Sequence, residues 1–140
     1  MKWSDEYSTG VPQIDEQHKT IFRMAEDFQS ALHVGTGEQT YGLLLRSLEL
    51  YIHAHFTAEE QCMAVHRCQI AGLNKAAHAA FSETLTRYRH RFEDYGFDRA
   101  DADMLMLNIQ DWLLKHIGRV DVHLRHCIAA PAPTPDTPSS

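Results

Sequence analysis

Residues 39–66 read QTYGLLLRSLELYIHAHFTAEEQCMAVH, and the apolar positions Leu44, Leu48, Ile52, Phe56 and Met63 recur at helical intervals along it. That period belongs to an amphipathic helix of 3.6 residues per turn with one buried face. Two residues on the same stripe are not apolar. His55 and Glu59 are four apart, one turn along the helix, so both point where the core should be. A helix from about Gln39 to His66 is therefore expected, carrying an ionisable pair on its inner face.

Working outward, the same period appears three more times. Upstream, Pro12 suits the first turn of a helix, where its missing N–H costs nothing. Ile14, Ile21, Ala25, Phe28 and Leu32 then carry a helix to His33, which Gly35-Thr36-Gly37 stops. Downstream, Gly72 marks a break before a helix from about Leu73 to Phe92, with Ala77, Phe81, Leu85 and Tyr88 on one face. Tyr95-Gly96-Phe97-Asp98 forms the next turn, with Asp98 as N-cap. The last helix, about Arg99 to Cys127, carries Leu105, Ile109, Trp112, Leu113, Val120 and Leu124. Residues 1–11 lack a period and read as an N-terminal arm. APAPTPDTPSS at the end holds four of the five prolines and reads as a disordered tail or linker. Four helices of about 30 Å joined by short loops predict an all-α, up-down-up-down four-helix bundle. One domain over 1–128 and a flexible segment over 129–140 follow.

Composition narrows the function. A formal charge of −6 with scattered Lys and Arg argues against a nucleic-acid or anionic-membrane partner, and no apolar run is long enough to span a bilayer. The N-terminus has no apolar core of a secretory signal, and the three cysteines Cys62, Cys68 and Cys127 are irregularly spaced. They read as reduced thiols of a cytoplasmic protein. Cys62 reads as a small buried hydrophobe. The acidic, patch-free surface points to a monomer.

The compositional oddity is ten histidines. His53, His66, His90, His123 and His126 fall on outward positions, and His33 near a helix end, where a cation suits the dipole. The other four lie on inward stripes: His18 between Ile14 and Ile21, His55 beside Glu59, His78 before Phe81, and His116 after Trp112. Each helix thus aims at least one ligand-type side chain into the core. Burying so many ionisable groups is unfavourable unless they are paired or bind a cation. Imidazole and carboxylate together suit iron or another first-row metal. His116 and Asp121 are five apart, about 140° around an α-helix, so that spacing alone carries no weight.

Five stretches taken together, W3-S-x-x-Y7, G10-V-x-x-I14-D-x-Q-H18, H55-F-x-x-E59-E60-x-x-M63, H78-x-x-F81 and W112-L-x-x-H116-I-x-x-x-D121, resemble bacterial hemerythrins over residues 3–124. The resemblance implies two non-heme iron ions, carboxylate- and oxo/hydroxo-bridged, with Glu59 and Asp121 as the bridging residues. It places His18 and His55 on the ion with an open position for O2, and His78 and His116 on the other. It further implies that Ile21, Phe56, Phe81, Trp112, Leu113 and Ile117 line the O2 pocket. Glu60 is read as exposed rather than as a third bridge.

The chain departs from that pattern at one position. A third histidine should stand four residues before His78, where this sequence has Asn74. A frame shift that moves His78 to the earlier position and Ser82 to the later one is disfavoured, because Phe81 keeps its spacing. Asn74 can offer a carbonyl oxygen, a weaker donor than imidazole, or hold a water. O2 binding or sensing is the function so implied, with no catalytic residues and the tail a possible connection to an output domain or partner protein. A di-iron peroxidase or oxidase is the alternative, favoured by Asn74.

Overall fold

A computed structural model describes residues 2–118 and 124–127. Four helices follow one another: α1 (Pro12–Val34), α2 (Gly37–Val65), α3 (Ala71–Tyr95) and α4 (Arg99–Trp112). A π-helical turn, Leu113–Ile117, continues α4. Each helix packs on the next, and α4 returns to α1, closing an up-down-up-down bundle with no strand among the described residues.

The helix ends follow the expected chemistry. Pro12 opens α1, and Gly35, in the left-handed region at φ 89°, closes it with its N–H on Ala31 O. Gly37 then starts α2 so close to Leu32 that a Cβ there would lie 2.5 Å from Leu32 Cδ2. A larger residue there would force the Leu32 side chain to move, so glycine suits so tight a connection between antiparallel helices. Asp98 caps α4, accepting from the Asp101 N–H at 3.3 Å.

Buried side chains form two clusters. The larger contains Ile21, Phe22, Phe28, Tyr41, Leu45, Leu48, Ile52, Leu85, Leu105 and Ile109 among others. A smaller one at the far end contains Ile14, Met63, Cys68 and Leu124, with Ile70, Ala71, Cys62 and Cys127 packed against it. Ile14 is one turn from His18, Met63 from Glu59, and Ile70 and Ala71 from Asn74. The expected ligand positions therefore lie next to an apolar plug.

Two expectations about the cysteines need correction here. Cys68 and Cys127 are not reduced thiols; they are joined in a disulfide, with Cα atoms 5.7 Å apart. Their 59-residue separation concealed the pairing, which arises because the bundle returns the end of the chain to the α2–α3 turn. The free Cys62 is half-buried, and burial, with Glu59 adding to it, pushes its thiol pKa up. The N-terminal arm, for its part, is firmly seated. Asp15 in α1 accepts from the Thr9 N–H at 2.7 Å, the Thr9 hydroxyl at 2.8 Å and the Ser8 hydroxyl at 2.7 Å. Tyr7 stacks on Phe22, and the Lys19 ammonium lies over the Trp3 ring.

Candidate metal centre

α2 supplies the middle of the site. Glu59 is fully buried, and its two carboxylate oxygens face different partners. Oε2 lies 3.1 Å from His18 Nε2 on α1 and 3.4 Å from His55 Nε2 on α2. Oε1 lies 3.1 Å from His78 Nε2 on α3 and 3.3 Å from His116 Nε2 in the π-helical turn. The structure thus brings together five of the expected ligands, as two three-donor sets, His18–His55–Glu59 and Glu59–His78–His116. Within each set the donor atoms all lie within 4.8 Å of one another.

Two ring tautomers are set from outside. His55 Nδ1 donates to Gln17 Oε1 at 2.8 Å, and His78 Nδ1 donates to Glu60 Oε2 at 2.9 Å. Their Nε2 atoms are therefore bare lone pairs, aimed at a carboxylate. His78 Nε2 also lies 3.0 Å from His116 Nε2. Lone pairs converging on a buried anion repel one another unless a cation stands between them.

Protonation does not supply that cation. Burial pushes the His18 and His116 pKa values down, against the pull of Glu59, so these imidazoles are neutral donors. Burial would raise the Glu59 pKa, but hydrogen bonds from the imidazoles, that of His116 first and that of His18 next, outweigh it and hold the carboxyl well below its usual range. A fully buried, ionised carboxylate set between four imidazoles has the chemistry of a metal site, and the donor set fits iron.

Aromatic rings wall one half. Phe56 stacks on His78 at 3.7 Å, and Trp112 stacks on both His116 and Phe81. Of the residues expected to line an O2 pocket, Ile21, Phe56, Phe81, Leu113 and Ile117 are buried and Trp112 is half-buried. His116 sits within a π-helical turn, which holds one more residue per turn than α-helix and often marks functional sites. Asp121 itself lies outside the described residues, as does His123.

Asn74 is buried at 1% exposure, while Ser82 is half-buried and lines a groove with Arg46, Glu49 and Arg89 between α2 and α3. Asn74, not Ser82, therefore shares the inward layer with His78. Glu60, expected to be exposed, is instead turned onto His78. The sequence reading also missed the part played by Gln17, although its place directly before His18 is visible in the sequence. His53, His90 and His126 are exposed as expected, as is His33 at the end of α1, whereas His66 is half-buried.

A helical bundle with a histidine–carboxylate centre at its core defines a class of metal-binding proteins. Residues 9–124 match the Hemerythrin HHE cation binding domain, and the chain belongs to that family, with its non-heme iron site. It is similar to bacteriohemerythrin of Pseudomonas aeruginosa (strain LESB58), 31% identical over 85% of this chain and 75% of that protein. Bacteriohemerythrin of Methylococcus capsulatus (strain ATCC 33009 / NCIMB 11132 / Bath) is 29% identical over 93% of this chain and 98% of its own length. The Clostridium acetobutylicum bacteriohemerythrin is 24% identical over 85% of this chain and 94% of its own.

Proposed function

We propose that the protein is a non-heme di-iron O2-binding protein, with the 1–128 segment as the binding domain. The observation that supports two ions rather than one is that Glu59 turns one oxygen to each histidine pair. In this reading His18 and His55 would hold one ion, His78 and His116 would hold the other, and Glu59 and Asp121 would be the carboxylates shared by both. Bound iron supplies the electrons that O2 binding needs. The protein's own residues supply the rest: Gln17 and Glu60 fix the rings of His55 and His78, and Ile21, Phe56, Phe81, Trp112, Leu113 and Ile117 keep water and protons away. A dry apolar wall disfavours charge separation, which favours reversible binding.

Iron analysis of protein purified without air tests this. About two irons per chain, with an absorbance change that O2 induces and its removal reverses, is the expected result. One iron or fewer per chain would sink it.

A second reading, a di-iron peroxidase or oxidase, is favoured by Asn74 in place of an imidazole. It predicts rapid, irreversible oxidation by O2 and turnover with peroxide. Sensing, which ranks with O2 binding ahead of that alternative, would use 129–140 to link the domain to an output domain or partner; an output that does not differ between ferrous and ferric protein would exclude it. No helix among the described residues is long and apolar enough to cross a membrane. We place the protein in the cytoplasm as a monomer.

A further inference from the structure

Asn74 stands in the first turn of α3, its N–H committed to Ile70 O at 2.9 Å. Its side chain is 1% exposed, and neither Oδ1 nor Nδ2 has a partner among the described residues. Four residues before His78, it lies on the face that carries that ligand-type ring. A buried primary amide unbonded at both ends is costly, and protein interiors meet the cost with a bound water, ion or ligand. The rest of the layer is engaged, with His18, His55, His78 and His116 turned on Glu59 and the outer nitrogens of His55 and His78 on Gln17 and Glu60.

An asparagine amide ends short of where an imidazole Nε2 would reach from the same Cα, and as a neutral oxygen donor it competes poorly for iron. What it offers instead is two N–H donors. The first turn of α3 has no acidic residue, so the partial positive charge of this 25-residue helix is unopposed at its N-terminus. Of the nearby carboxylates, Glu59 is engaged by the imidazoles and Glu60 is turned onto His78 Nδ1.

We propose, resting on the two-ion reading above, that Asn74 makes the His78/His116 half a second binding position for a small monodentate anion. The ion holds the anion on one side, and Asn74 Nδ2–H donates to it on the other. A centre of this kind takes exogenous ligands on both halves rather than one.

Azide is the probe, titrated calorimetrically and by absorbance into ferric, iron-loaded full-length protein whose iron content is measured in the same sample. The wild type is expected to take about two azide ions per chain. Asn74→His, which adds a ligand, and Asn74→Leu, which fills the space without one, are each expected to take about one. A single azide in the wild type at two irons per chain overturns the proposal and leaves the two-ion reading standing. Two azides retained in either variant also overturn it, and because the variants act differently, misfolding of one leaves the other decisive. One iron or fewer in the wild type overturns both readings, and the iron count tells that case from the others.

Discussion

The two halves of the centre are built from the same parts and tuned differently. On the α1 side, Glu59 Oε2 meets His18 and His55, and the ring of His55 is fixed by a neutral amide, Gln17. On the α3 side, Glu59 Oε1 meets His78 and His116, and the ring of His78 is fixed by a carboxylate, Glu60. A carboxylate accepting from Nδ1–H makes the opposite nitrogen a stronger donor than an amide does. On the two-ion reading, the half in which Asn74 stands where the family resemblance implies a third imidazole is therefore the half with the stronger outer partner. Ligand number and ligand strength trade against each other, and a reading of the inner ligands alone would call this half simply weaker.

The largest test removes what the halves share. Glu59→Ala should empty both at once, taking iron from about two per chain to near zero by metal analysis. Retention of one iron would show that a half stands without its bridge.

Next is the plug beside Asn74. Cys68→Ser opens a cross-link spanning 59 residues, and should lower stability by roughly 4 kcal/mol in the chain-entropy account, read from denaturant midpoints. Iron should then leave the α3 half first, because Ile70 and Ala71 of the plug sit one turn from Asn74. Equal loss from both halves would separate the plug from the asymmetry.

Glu60→Gln equalises the outer partners. It should weaken metal retention on the α3 side by about 10-fold to 100-fold, whereas Gln17→Glu should strengthen the α1 side. Competition with a chelator reads both, and the absence of any change in either variant would remove the outer partners from the account.

The smallest expected effect is in pH. His18 and His116, one in each half, both have pKa values pushed below the ordinary 6.5, chiefly by burial. The unfolded chain then binds protons that the folded chain refuses. Their contribution to stability is complete above about pH 6.5 and declines as the pH falls towards the lowered folded values. Metal-free protein should therefore lose stability on acidification through that window, read from denaturant midpoints, and an unchanged midpoint would mean that burial does not act on these two rings.

By itself, the sequence determined the four helices and the inward stripes, because hydrophobic period, Pro12, Gly35 and Asp98 are local signals with local physics. It also determined that His18, His55, Glu59, His78 and His116 would converge, since each lies on a stripe that has nowhere to point but the core. The family resemblance added Asp121, which spacing alone did not support. Only the tertiary structure decided what happens between elements. Glu60 met His78, Gln17 met His55, Asp15 tied down the arm, and Cys68 found Cys127, because each pairing depends on how helices rotate and abut rather than on any period within one helix. It likewise decided that the amide of Asn74 is buried without a partner among the described residues, a property of the surroundings that no one-dimensional pattern encodes.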